Sequence, residues 1–233
     1  MTHSQIVRFL LLKTIGNFLI LFAIFGVCAT FGPALYFEVL FHIDQWRGVK
    51  YVVVNPQSGD ISGFGKLLRS QNTNANLFTF DQNQQVMIPK DTNFDILIPK
   101  IGANSIVFAN VNTADENAYL PILKKGVAQA AGSALPNENG SIFLFAHSTD
   151  SFWDVGLYNA VFYLLKDLQI GDGVTLFYKG KRYDYAVIGS KIVEPSDVSY
   201  LTNSRSSPKQ LILQTCWPPG TTWKRLLVIA KPK

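Results

Sequence analysis

Three residues of this sequence stand at comparable places. Cys216 closes the run Leu211-Ile212-Leu213-Gln214-Thr215, His147 closes Ile142-Phe143-Leu144-Phe145-Ala146, and Arg225 opens Leu226-Leu227-Val228-Ile229-Ala230. Short apolar runs bounded by turn residues read as buried strands. Residues at strand ends project from a rigid scaffold, so the three can converge on one cleft. A thiolate is a nucleophile, and a nearby cation favours it over the thiol. Histidine is the usual proton donor to a leaving amine. Arginine is permanently charged and suits a carbonyl oxygen or a developing oxyanion. Together the groups fit acyl transfer from a peptide bond through a thioester.

Singly, each residue has an ordinary structural explanation. Free cysteine is among the most buried residue types. A histidine after an apolar strand can be a turn or satisfied core residue, and an arginine at a strand start a solvated edge. Competing chemistries fare worse. His3 and His42 lie near the N-terminal apolar segment, leaving only His147 and Cys216 as soft ligands, so no metal and no cofactor is expected. No G-x-S-x-G elbow occurs. A papain-like arrangement is disfavoured, because Cys216 follows His147 and opens no visible helix.

The elements that must position these groups are mostly strands. Ile96–Ile101 reads as a strand interrupted by Pro99, which suggests an edge. Ile106–Phe108 continues the β pattern. From Asn112 to Lys125 the period changes: Thr113 or Asp115 can cap, and Tyr119, Leu120, Leu123 and Val127 recur at helical spacing. Charge at Asp115 and Glu116 suits a helix N-terminus. After Ile142–Ala146 come a polar turn at 148–150, a short helix over Tyr158–Leu168, and strands at Val174–Tyr178, Tyr183–Ile188 and Lys191–Val193. A helical turn over Ser196–Leu201 precedes the last two runs, Leu211–Gln214 and Leu226–Ala230. About eight short strands with one or two short helices predict a mainly β fold, a closed eight-stranded β-barrel.

Ahead of this domain, Thr14 to Phe37 carries no charge, more than the roughly 20 apolar residues that cross a bilayer as a helix. Gly32-Pro33 is expected to kink or end it, leaving Ile15–Phe31 as the core span. The run is too long for a signal-peptide core and lacks an A-x-A-like site, so an uncleaved anchor is expected. Arg8 and Lys13 precede it and favour a cytoplasmic N-terminus. The expected organisation is a cytoplasmic tail (1–13), a single-pass anchor (14–41), a linker rich in Gly, Ser, Asn and Pro (42–93), and an extracytoplasmic domain (94–233). The apolar share of 48% and mean hydropathy of +0.15 reflect the anchor. The net charge of +5 is mild and forms no basic stripe, which argues against a nucleic-acid partner. With Cys28 in the anchor, Cys216 is the lone thiol of an exported domain, which points to a reactive thiol or intermolecular pairing.

The chain resembles the sortases, membrane-anchored cysteine transpeptidases of bacterial cell surfaces. The family's T-L-x-T-C motif corresponds to Ile212-Leu213-Gln214-Thr215-Cys216, its histidine motif to Leu144-Phe145-Ala146-His147, and its arginine motif to Lys224-Arg225-Leu226-Leu227-Val228. Ile98-Pro99-Lys100-Ile101-Gly102, Lys125-Gly126-Val127 and Gly132-Ser133-Ala134-Leu135-Pro136 resemble its barrel start and first-helix region, and the motifs fall in the family's order. The resemblance implies that Cys216 attacks a sorting motif related to L-P-x-T-G on a surface protein. His147 would serve as acid and then base, and Arg225 would hold the substrate and the oxyanion. Thr215, Ala146 and Trp217 would border the substrate. An amine from a peptidoglycan precursor or a pilin lysine would resolve the thioester. Ile212 stands where the family has threonine, and Ala146 where it often has glycine; both differences bear on the sorting motif. Trp153, Trp217 and Trp223 flank the site in sequence, as core or rim packing or as an apolar wall. The alternative is a non-catalytic extracellular binding domain on the same scaffold.

Overall fold

The computed structural model describes residues 3–54, 84–148 and 161–233, and of residues 29–37 and 84 the backbone alone. The chain divides into two units, 1–43 and 44–233. The first is nearly all of one long helix, α1 (His3–Trp46). The stretch His3–Cys28 has a mean hydropathy of 2.1 and is long and apolar enough to cross a membrane. The described apolar side chains, among them Phe9, Leu10, Leu11, Leu12, Phe18 and Leu21, are exposed on every side of it, the pattern of a helix whose partner is lipid or another helix. Gly32-Pro33 does not end α1. A proline within a helix deletes one hydrogen bond, and the remaining ladder carries the helix on. The end comes at Gly48, whose φ of 67° closes the turn while its N–H and that of Val49 bond back to Gln45 O and Asp44 O.

The second unit is a closed barrel. Its strands are β3 (Phe94–Ile98), β4 (Ala103–Val111), β5 (Val127–Ala130), β6 (Ser141–Phe145), β7 (Gly173–Tyr178), β8 (Lys181–Val193), β9 (Gln210–Trp217) and β10 (Lys224–Pro232). They close in the order β10-β8-β7-β3-β4-β5-β6-β9. The pairs β4–β5 and β6–β9 are parallel; the others are antiparallel. Period-2 alternation sends Ile96, Ile98, Ile142, Leu144, Leu176, Leu211, Leu213, Leu226 and Val228 inward, where they fill the lumen. A second cluster lies on the outer face of β6, β9 and β10, built from Phe143, Phe145, Ile212 and Leu227. It is covered by α2 (Glu116–Leu123) and by the helical turn Ser199–Thr202, through Leu123, Tyr119, Tyr200 and Leu201.

The barrel has the expected eight strands, but two expectations about them exchange places. Tyr183–Ile188 and Lys191–Val193 are one 13-residue strand. The register against β10 slips between Ile229 and Ala230, and this irregularity produces the interruption in the pattern. The missing eighth is β5, Val-Ala-Gln-Ala. Val127 belongs to it rather than to α2, because the helix stops at Leu123 and Gly126 intervenes. There a Cβ would run into Ile106 O, so only glycine lets the chain pass so close to β4. Pro99 does not make β3 an edge strand. It opens a 3-10 turn after Ile98, where its missing N–H costs the ladder nothing, and β3 lies between β4 and β7. Asp115 caps α2 by accepting the Asn117 amide at 3.0 Å. Of the helix expected over Tyr158–Leu168, the described part is a 3-10 turn, Tyr163–Asp167. The rest, the polar linker runs, Thr149, Asp150 and Trp153 lie outside the described residues.

Within the linker, β1 (Lys50–Val53) and β2 (Gln84–Met87) form a separate parallel pair. Tyr51, Val53 and Met87 pack on Leu97 and Phe177 of the barrel's outer wall. On β3, Asp95 is 0% exposed. Its Oδ2 accepts the Asp91 amide at 3.1 Å, while Oδ1 has no partner among the described residues. Burial pushes its pKa up to about 7, against the pull of the Lys90 and Asp91 amides. The folded pKa thus lies above the unfolded one. The native state holds the extra proton between about pH 4 and 7, and stability falls as pH rises through that window. Each pKa unit is worth ~1.4 kcal/mol, so the loss reaches a few kcal/mol. Thermal unfolding of the full chain in detergent should show a Tm several degrees lower at pH 8 than at pH 5. Asp95→Asn, which keeps an acceptor for the Asp91 amide, should flatten that slope.

Candidate active site

The strand registers decide which side chains meet. β6 runs parallel to β9 with Phe143 level with Ile212 and Phe145 level with Gln214. His147, two residues beyond the last pair, lines the same groove as Cys216. On the other side of β9, Cys216 faces Arg225 directly across the antiparallel pair with β10, where Cα atoms stand roughly 4.5–5.5 Å apart. All three continue the outward-facing series that begins with Phe143, Ile212 and Leu227. They therefore emerge on one face at one rim, from three adjacent strands. Each is half-buried.

The chain beyond β6 is held in place by the end of β9. Ala146 N–H donates to Gln214 O at 3.2 Å, and the Thr215 hydroxyl donates to Ala146 O at 3.1 Å. Thr215 is buried. Its hydroxyl ties the residue before the imidazole to the residue before the thiol. Thr215→Val keeps the shape and removes the donor, leaving Ala146 O short of one bond. A hydrogen bond of this kind is worth about 1 kcal/mol. The Tm should drop by about 2–4 °C, and turnover should fall further than that loss of folded protein explains, because the imidazole is no longer fixed.

The face carries a groove of about 600 Å³. Its floor is Phe143, Phe145, Gln214 and Leu227, with His147, Cys216 and Arg225 at one end. One wall is α2, through Glu116, Tyr119, Leu120 and Leu123. The other is the segment from β8 to β9, through Pro195, Asp197, Val198, Tyr200 and Leu201. Arg225 Nη1 donates to Thr222 O at 3.0 Å and Lys224 O at 3.1 Å, so its own loop anchors one end of the guanidinium. On the far wall Lys191 donates to the Tyr200 hydroxyl at 3.1 Å, and that bond raises the lysine's pKa. Asp197 accepts the Ser199 hydroxyl and amide, which lower its pKa.

Of the residues expected to border the substrate, Thr215 and Ala146 reach the groove. Trp217 is not part of the lining; its alternation turns it inward, against the lumen cluster. Trp223 is exposed on the loop between β9 and β10. Ile212 is 0% exposed beneath the floor, so its place in the motif shapes packing rather than a direct contact. Sequence reasoning gave Tyr119 to the helix core and Glu116 to the helix end, yet both side chains face the cavity of the thiol. Tyr119 stacks edge-on to Phe145 at 6.0 Å and its hydroxyl donates to Glu116 Oε1 at 3.4 Å. Burial, then Glu116, raise its pKa, and the nearby Arg225 opposes them. The helical period marked Tyr119 as inward-facing; only the tertiary fold shows that inward there means toward a cleft.

The comparisons with known proteins agree with this architecture. Sortase D of Bacillus subtilis (strain 168) is 30% identical over 137 residues, which is 58% of this chain and 60% of the relative, so the chain spans about three-fifths of that protein's length. The pilus-related sortase C of Group B Streptococcus superimposes with a TM-score of 0.51 at 26% identity, covering 62% of this chain and 68% of its own. Sortase C-1 of Actinomyces oris shares the fold, with a TM-score of 0.50 at 23% identity over 62% of this chain and 76% of its own. A sequence model of the sortase domain matches residues 96–233, more than half of the chain, and on that match the chain belongs to the sortase family.

Proposed function

We propose that this protein is a cysteine transpeptidase that joins surface proteins to an amine at the outer face of the cell membrane. The reading rests on one observation above all: strand register brings Cys216, His147 and Arg225 to the same rim of one groove. The groove takes an extended segment related to L-P-x-T-G. Cys216 Sγ attacks the threonine carbonyl carbon, and Arg225 balances the charge on the carbonyl oxygen. As the C–N bond breaks, His147 protonates the leaving amine. The resulting thioester is attacked by an amine that has lost its proton. An amide forms, the C–S bond breaks, and the thiol is restored with one proton released overall. Water in place of the amine gives hydrolysis.

In this proposal residues 14–41 anchor the chain, with 1–13 in the cytoplasm and the catalytic domain, 94–233, outside. No metal or cofactor takes part in any step. The test is mass spectrometry of the full chain in detergent with L-P-x-T-G-like peptides and candidate amines. The expected result is an acyl adduct on Cys216 that disappears as amide product accumulates. A lysine isopeptide in the product identifies pilin polymerisation, and a peptidoglycan-type amine identifies wall anchoring. No adduct, together with no labelling of Cys216 by a thiol-reactive sorting-peptide analogue, would leave the binding-domain reading instead.

A further inference from the structure

The groove must serve two substrates, and the second is a cation. An alkyl amine arrives at neutral pH as ammonium, and Arg225 already places a permanent positive charge beside the thiol. A cation entering that cavity is repelled unless a negative charge offsets the guanidinium. Among the described residues, two carboxylates line the cavity, Glu116 and Asp197. Asp197 is engaged by the hydroxyl and amide of Ser199, and Lys191 lies near enough to lower its pKa. Glu116 has no ion-pair partner among the described residues. Its side-chain hydrogen bond within the described residues is the long one from Tyr119, at 3.4 Å. The Tyr119 ring rests on Phe145, two residues before His147, and its oxygen lies within electrostatic reach of both Cys216 and Arg225. Glu116 therefore lines the same groove as Cys216, His147 and Arg225, from the α2 wall, with the Tyr119 hydroxyl bonded to it.

The geometry points to Glu116, with the Tyr119 hydroxyl beside it, as the subsite that receives the ammonium group of the acceptor. This rests on the acyl-transfer reading above and adds the chemical class and place of the second substrate. The ammonium is held by the carboxylate and gives up its proton to His147 or water before attack. An uncharged nucleophile gains nothing from the pair. A merely structural Glu116, interacting favourably with the helix N-terminus, would not distinguish the two kinds of acceptor.

The full chain in detergent is acylated with a sorting peptide and offered Nα-acetyl-lysinamide and hydroxylamine together at pH 7.5, where the first is charged and the second is not. The product ratio reports how one acyl-enzyme partitions, whatever the rate of acylation or the folded fraction. An exposed ion pair is worth up to about fivefold. Glu116→Gln should lower the ratio of lysinamide to hydroxylamine product about three- to fivefold, and Glu116→Lys should lower it further. Tyr119→Phe should lower it about twofold. Added salt should lower the ratio for the native chain and leave that of Glu116→Gln nearly flat. An unchanged ratio in Glu116→Gln, or a salt response equal to the native one, overturns the subsite. A native chain that forms no acyl-enzyme overturns the transferase reading and this inference with it, and that failure is visible before any acceptor is added.

Discussion

Cys216→Ala is expected to form no acyl-enzyme and no transfer product, with turnover of a sorting peptide down at least about 10³-fold. The argument does not depend on the exact sorting motif. Cys28 lies in α1, so no other thiol can replace the nucleophile within the barrel. The substitution is mild for the fold, because Cys216 is half-buried at a strand end and alanine fits there. Loss of activity with an unchanged Tm therefore assigns chemistry rather than stability. His147→Ala should also disable the enzyme, by about 10² to 10⁴-fold, the range of general acid–base catalysis. It should still accept a thiol-reactive peptide analogue, because the thiol and the groove remain. Intact-protein mass spectrometry separates the two variants. A Cys216→Ala chain that still released product would remove the thiol from the mechanism.

Much of this site was legible because strands obey a simple period. His147, Cys216 and Arg225 each stand beside a continuous apolar run, and such runs have few alternatives to being buried strands. What the sequence withheld was the neighbourhood. Nothing local says that β6 and β9 lie side by side and parallel, although 69 residues separate Ala146 from Thr215. The pattern predicts eight strands, but it divides β8 in two and passes over β5. β5 is four residues long and, after Val127, built of alanine and glutamine, with little β signal of its own. It exists because β4 and β6 need a neighbour. Its Gln129, fully enclosed, accepts the Asn110 amide and donates to Ala130 O and to the Ser133 hydroxyl. β8 was divided because a strand irregularity looks like an end when only the pattern is visible.

The same distinction explains Tyr119 and Trp217. Alternation turns Trp217 from the groove into the lumen, one residue away from Cys216. A rule of two faces per strand predicts that once the face of Cys216 is known, but not before. Tyr119 shows the converse. Helical spacing placed it correctly on the inward face of α2, and the fold made that face the wall of a cleft. Placement was a local property, whereas role depended on what α2 covers.

Arg225 carries the second large effect, and its two substitutions should separate charge from shape. Arg225 Nη1 is held by Thr222 O and Lys224 O. Its remaining nitrogens have no partner among the described residues and can meet a carbonyl oxygen opposite Cys216. Arg225→Ala removes both the charge and the donors, and loss of one oxyanion contact costs about 10² to 10³-fold in kcat. Arg225→Lys keeps the charge without the fork. It cannot bond the loop carbonyls and the substrate oxygen in one fixed geometry, so a loss of about 10 to 10²-fold is expected even though the cation survives. The thiol gives an independent readout. Removing a neighbouring cation raises the pKa of a thiol, so the pH profile of Cys216 alkylation should move upward in Arg225→Ala and much less in Arg225→Lys. If both variants lose activity equally while only alanine shifts the alkylation profile, Arg225 acts through geometry at the oxyanion. If activity follows the alkylation profile, it acts by setting the thiolate. Native turnover in Arg225→Ala would remove it from the site altogether.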